Sequence, residues 1–172
     1  MASTHTLKSE QTLDDAKRHE LIGLLSKAYH AEIETVANYL ANSVQLDGML
    51  ANAVKASLDA DVTEELNHAR QLAARIKVLG GRVPGSKDLT MTQDALQPPE
   101  DPLDLRGVIL GVIEAEDGAI DTYQQLIDAA GGVDPVTEDL AITLKGDEEE
   151  HRRAFLGYLR EYDALKATLS RD

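Results

Sequence analysis

The chain has 172 residues, of which 42% are hydrophobic and 28% charged, and its formal net charge is -14. That length suits one well-filled domain, and the acidic balance excludes a general affinity for nucleic acid, which needs clustered Lys and Arg. With no cysteine, disulfides and thiolate ligands are excluded, leaving oxygen and imidazole as donors.

Residues 1–13 are polar around Lys8, with no apolar run and no twin arginine, and they read as a flexible tail ahead of a domain spanning 14–172. No segment approaches a membrane span. The expectation is a cytoplasmic protein without a membrane partner. Apolar residues then recur at three- and four-residue spacing through four long segments. The first helix is expected from Asp14 or Asp15, either able to cap it, to about Leu46, where Asp47-Gly48 ends it. Its inward stripe is Leu25, Ala28, Glu32, Val36, Tyr39, Ser43 and Leu46, with a glutamate in the middle.

The second helix is expected over Met49 to Leu79, with Val54, Leu58, Val62, Glu65, His68, Leu72 and Ile76 inward and Gly80-Gly81 as its stop. A tight connection makes the first pair antiparallel. Arg82 to Pro102 carries Pro84, Pro98, Pro99 and Pro102 and suits a long crossover. The third helix, Leu103 to Ala130, turns Leu105, Ile109, Val112, Glu116, Ala119, Ile120, Tyr123 and Leu126 inward. The fourth starts at Asp134-Pro135 and runs to about Leu169, presenting Leu140, Leu144, Glu148, His151, Phe155 and Leu159. The fold predicted is all-α: an antiparallel four-helix bundle with a long crossover between its second and third helices.

Glu-x-x-His occurs twice, as Glu65 to His68 and Glu148 to His151, and residues three apart on a helix share a face. Each copy follows an upstream glutamate at almost the same distance, Glu32 by 33 residues and Glu116 by 32. Tyr39 and Tyr123 each lie seven residues beyond that glutamate, so the chain reads as two homologous helical hairpins. By composition a glutamate precedes a given histidine by three positions in about one case in twelve, which makes a single motif weak evidence and the doubled, registered motif strong.

Four carboxylates in an apolar stripe are prohibitive unless neutralised, and two divalent cations supply that neutralisation. Glu32, Glu65 and His68 are assigned to one metal and Glu116, Glu148 and His151 to the other, with Glu65 and Glu148 bridging. Glu114 is the alternative to Glu116, while Glu34, Glu64, Glu149 and Glu150 fall mostly on solvated faces by helical phase. Asp147 is expected to orient His68 across the bundle and Glu64 to orient His151. Tyr39 and Tyr123 would bond the carboxylates or serve as core. His5, His19 and His30 read as surface residues. The competing non-enzymatic reading is an acidic helical interaction protein with accidental motifs.

From about Glu32 to Tyr158 the chain resembles the ferritin superfamily, in its non-haem bacterioferritin and Dps-like group. The segments that carry this are Val112-Ile113-Glu114-Ala115-Glu116 with Ala119-Ile120, and Asp134-Pro135 through Glu148-Glu149-Glu150-His151. The resemblance implies a ferroxidase centre of two Fe ions, oxidising Fe(II) with dioxygen or hydrogen peroxide in iron storage and oxidative-stress protection. Manganese or zinc suits the same donors, and a rubrerythrin-like peroxidase, manganese catalase or di-iron oxygenase would use the same residues. Leu66 stands where haem-binding members have the ligating methionine, which argues against haem. A homo-oligomer is implied, a twelve-subunit shell or a dimer rather than a cage built with a fifth helix.

Overall fold

The computed structural model describes residues 13–169, so most of the expected tail lies outside the described residues; Leu13 packs half-buried against the core. Four helices account for the architecture, α1 (Asp15–Gln45), α2 (Asn52–Val78), α3 (Leu105–Ala130) and α4 (Pro135–Leu169), with no strand among the described residues. Local chemistry sets the ends. The Asp14 carboxylate accepts the Lys17 N–H at 2.7 Å to start α1, and Asp104 accepts that of Gly107 at 2.9 Å to start α3, each satisfying an otherwise orphaned donor. The second helix begins three residues later than the periodicity suggested, because Met49–Ala51 forms a tighter 3-10 turn after Gly48 at φ 97°. That left-handed conformation is one that glycine adopts without a Cβ penalty.

The hairpins α1–α2 and α3–α4 pack most closely, α1 also lies against α3, and α2 touches α4 more sparingly. The Asp47 N–H donates to the Pro102 carbonyl at 2.8 Å, so the end of α1 meets the start of α3. The crossover therefore travels the bundle's whole length, and every neighbouring pair is antiparallel. It is held down by side chains of α1. The Glu34 carboxylate accepts the N–H groups of Thr92 and Gln93 at 2.7 and 2.8 Å, Asn42 donates to the Leu96 carbonyl at 2.8 Å, and Gln93 donates to Thr35 at 2.6 Å. Glu34 is accordingly buried, not solvated as its phase suggested. Gly111 of α3 is buried under the same strap, where a Cβ would run into the Ala95 carbonyl.

The apolar core is in two pieces. One gathers Leu21, Leu25, Leu72, Ile76, Leu126 and Leu144, the other Leu46, Leu58, Leu96, Ile109, Val112 and Phe155. Between them lies a belt of buried polar side chains. At the far end of the first cluster, Arg75 of α2 donates to both carboxylate oxygens of Asp134 at 2.6 Å, and Thr137 bonds both partners. This pair caps α4 and locks the two hairpins together. Desolvation opposes the Asp134 charge, but the hydrogen bonds from Arg75 and Thr137 win and hold its carboxyl below the ordinary value. Asp134→Ala leaves the guanidinium without its partner and α4 without its cap, and should cost about 2–4 kcal/mol in urea-unfolding stability. A loss under about 0.5 kcal/mol, the scale of a surface substitution, would contradict this role.

Candidate metal centre

The belt is made of six side chains, one glutamate from α1, one from α3, and a Glu-x-x-His pair from each of α2 and α4. Glu32, Glu65, His68, Glu116, Glu148 and His151 are all buried, with Glu65 and Glu148 at 1% exposure. Both imidazoles turn Nδ1 to the centre. His68 Nδ1 lies 3.1 Å from Glu148 Oε1, 3.3 Å from Glu65 Oε2 and 4.0 Å from Glu32 Oε2. His151 Nδ1 lies 3.2 Å from Glu148 Oε2, 3.3 Å from Glu65 Oε1 and 3.9 Å from Glu116 Oε1. The two rings face each other nearly parallel at 6.3 Å.

These distances define two overlapping groups of converging ligand atoms: Glu32, Glu65, His68 and Glu148 in one, and Glu65, Glu116, Glu148 and His151 in the other. Within each group the atoms lie no more than 4.8 Å apart. Glu65 and Glu148 belong to both, each turning one oxygen toward either imidazole. Glu65 is further singled out because both its buried oxygens lack a well-aligned hydrogen bond. A buried carboxylate without aligned donors is costly and fits a cation in its place. The donor set is all carboxylate and imidazole, which suits divalent iron, manganese or zinc.

The outer face of each imidazole meets an acid from the opposite hairpin. His151 Nε2 is 3.1 Å from Glu64 Oε2, and His68 Nε2 is 3.4 Å from Asp147 Oδ2. An Nε2–H held by a carboxylate leaves the Nδ1 lone pair free for a metal. The tyrosines cross the bundle: Tyr39 of α1 donates to Glu116 Oε1 of α3, and Tyr123 of α3 donates to Glu32 Oε1 of α1. Both are fully buried, so each upstream glutamate is fixed by the other helix's tyrosine. Glu114 is exposed and stands outside the centre. Among the other histidines, His19 is exposed, His30 is half-buried, and His5 lies outside the described residues.

Asp61 escaped the sequence reading. It lies one turn before Glu65 on α2, is 8% exposed, and forms a further group with Glu64 and His151. Burial pushes its carboxyl up to about 6, against the pull of His151. The four-residue interval to Glu65, which keeps the two on one face, was the available signal.

Without metal, protons do the neutralising. Burial, reinforced by the neighbouring carboxylates, holds Glu32 and Glu116 well above the ordinary range. Burial opposes charge on His68 and His151 too, but the facing carboxylates of Glu148 and Glu65 overcome it and raise them to about 10 and about 12. Glu65, despite its burial, is lowered to about 2 by the two imidazoles.

Four carboxylates and two imidazoles in this arrangement match the ligand set of carboxylate-bridged two-metal bundles. The chain belongs to the ferritin-like domain family, whose model matches residues 22–165. A DNA protection during starvation protein of Pyrococcus furiosus is 31% identical over 140 residues, covering 79% of this chain and 75% of its own. Among solved structures, the dodecameric thioferritin of Bacteroides fragilis, a bacterioferritin-related protein, superposes with a TM-score of 0.75 at 22% identity, covering 88% of this chain and 90% of its own. Desulfovibrio desulfuricans bacterioferritin, described with a diiron site, gives 0.75 at 21% identity, covering 92% and 88%.

A pH dependence follows for the metal-free protein. Groups whose folded pKa is raised bind more protons folded than unfolded, so stability falls as pH rises. The histidine contribution is complete below the unfolded value of about 6.5 and is lost toward about 10. The melting temperature of chelator-treated protein should therefore drop between pH 6.5 and 9. Divalent metal, which displaces those protons, should flatten the profile. A metal-free melting temperature that rises over this interval would contradict the proton arrangement.

Proposed function

We propose that this protein is a di-iron ferroxidase: it binds Fe(II) as substrate at the bundle centre and oxidises it to Fe(III) with dioxygen or hydrogen peroxide. Its role is iron storage and protection from oxidative damage, carried out as a homo-oligomer. The observation that carries the reading is the sharing of Glu65 and Glu148 between two overlapping ligand groups. Two ferrous ions held side by side can give one electron each to one oxidant, which leaves with two protons as hydrogen peroxide when it is dioxygen, or as two waters when it is hydrogen peroxide, so no one-electron radical is released.

The chain's own residues divide the work. Glu65 and Glu148 bridge, while Glu32 with His68 and Glu116 with His151 complete the two ends. Tyr123 holds the Glu32 oxygen turned away from His68, and Tyr39 holds the Glu116 oxygen that lies nearest His151; the two hydroxyls fix those carboxylates in place. Glu64 and Asp147 fix the ring orientation and tautomer of His151 and His68. Both acids are near half exposed or more, so they place negative charge where the centre meets solvent and favour cation arrival. The names of the relatives, one a starvation-protection protein and one a dodecameric thioferritin, support the same role and a shell-like assembly.

Zinc is a redox-silent probe of the ligand set. Calorimetric titration should find two ions per chain in the unaltered protein and a loss of high-affinity binding in Glu65→Ala and Glu148→Ala. The same variants should oxidise ferrous iron no faster than buffer while keeping a helical circular dichroism spectrum. Glu64→Gln, which only loosens an imidazole, should lower the rate by about tenfold. Ferrous oxidation at the unaltered rate in Glu65→Ala would refute the assignment, and light scattering separates a storage shell from a dimer.

A further inference from the structure

The two hairpins correspond residue by residue at the centre. An offset of 83 carries Glu64, Glu65 and His68 of α2 onto Asp147, Glu148 and His151 of α4, and an offset of 84 carries Glu32 and Tyr39 of α1 onto Glu116 and Tyr123 of α3. Each ligand group has a terminal glutamate, an imidazole and a share of Glu65 and Glu148, and each imidazole has one acid on its outer nitrogen. By these residues alone the two ends would attract a cation equally.

The correspondence fails at one position. Asp61 stands one turn before Glu65, and the offset of 83 carries it onto Leu144. Both side chains are interior: Leu144 is wholly buried in the cluster with Leu72 and Leu126, and Asp61 is 8% exposed. A carboxylate costs far more to bury than a leucine, so packing gives no reason for the exchange. The Asp61 carboxylate lies within 4.8 Å of the His151 imidazole, in one group with Glu64. Thus α2 offers His151 two acids, whereas α4 offers His68 one, with leucine in the second place. The other acids that break the correspondence within two residues of a ligand are each paired with a cation, tied to the crossover or exposed. Asp61 is the buried charge that distinguishes the ends.

We propose that Asp61 makes the His151 end the stronger cation position, so that the first ion settles on Glu116 and His151 and the second on Glu32 and His68. The inference rests on the two-ion reading of the centre and adds an order to it. Asp61 is a positioning residue that acts through His151: its charge makes the ring a better donor and that end more negative. Acids behind metal-bound imidazoles change metal affinity by about ten- to a hundredfold.

The test is stepwise zinc titration of the metal-free full chain by calorimetry, with nitrogen NMR of the imidazoles showing which ring each ion reaches. His68→Gln and His151→Gln assign the signals. The unaltered chain should bind two ions with affinities about tenfold apart, His151 responding to the first equivalent and His68 to the second. Asp61→Asn keeps the shape and removes the charge; it should still bind two ions, with the tighter affinity lowered by about tenfold and both rings responding together. Asp61→Leu copies the other half of the repeat and should do the same, while its metal-free melting temperature holds or rises because an apolar side chain replaces a buried carboxylate. A merely structural Asp61 would instead lower that temperature and leave the order of filling intact. Equal affinities in the unaltered chain, His68 responding first, or an order that survives in Asp61→Asn would overturn the proposal. Fewer than two zinc ions per chain would remove the two-metal reading and the order with it, so the two failures are distinguishable.

Discussion

The constraint on which this fold depends is the concentration of four carboxylates and two imidazoles in the middle of an apolar bundle. Uncompensated, such a cluster would cost several kcal/mol per ion. It is tolerated because every member is opposed by something specific: tyrosine hydroxyls on Glu32 and Glu116, imidazoles on Glu65 and Glu148, and acids behind both imidazoles. The apolar residues are arranged around this belt, in one cluster on either side of it. Stability is thus supplied by the two ends of the bundle, which allows the centre to be built for chemistry.

Antiparallel packing makes the arrangement work. Because α1 and α3 run in opposite directions, a tyrosine two turns along from one glutamate arrives beside the other helix's glutamate, and both pairs form at once. The same geometry brings Glu65 of α2 to His151 of α4 and Glu148 of α4 to His68 of α2. Neither hairpin holds a complete ligand set, so the centre exists only when both are docked. The Arg75 to Asp134 pair, joining the end of α2 to the start of α4, maintains that docking from a distance.

Much of this was legible in the sequence because it is periodic. The first and fourth helices began where Asp14 and Asp134-Pro135 put them and the Gly-Gly pairs marked two of the ends, while α2 and α3 begin three and two residues later than the periodicity suggested; the belt followed from glutamates interrupting apolar stripes. What escaped was non-local. Glu34 falls on a solvated phase of α1 until the crossover returns over it and offers two N–H groups. Asp61 shares a helical face with Glu65, but its grouping with His151 of α4 arises only when α2 and α4 meet. Gly111 is a further case, since a glycine in a helix pattern does not announce that a returning backbone will occupy the space it leaves. That the tyrosines bond the opposite glutamates, when spacing put each only on the same face as its own, also needed the docked geometry.

Sequence repetition gives the centre an approximate two-fold symmetry that the crossover breaks. The strap is tied to α1 through Glu34, Thr35, Asn38 and Asn42 and has no equivalent on the α2 and α4 side, where Asp147 and Glu64 stand toward solvent. Two matched ligand groups thereby acquire a front and a back: one side is roofed by the crossover, the other is acidic and open. That sidedness resides in a connecting segment that contributes no atom to either ligand group.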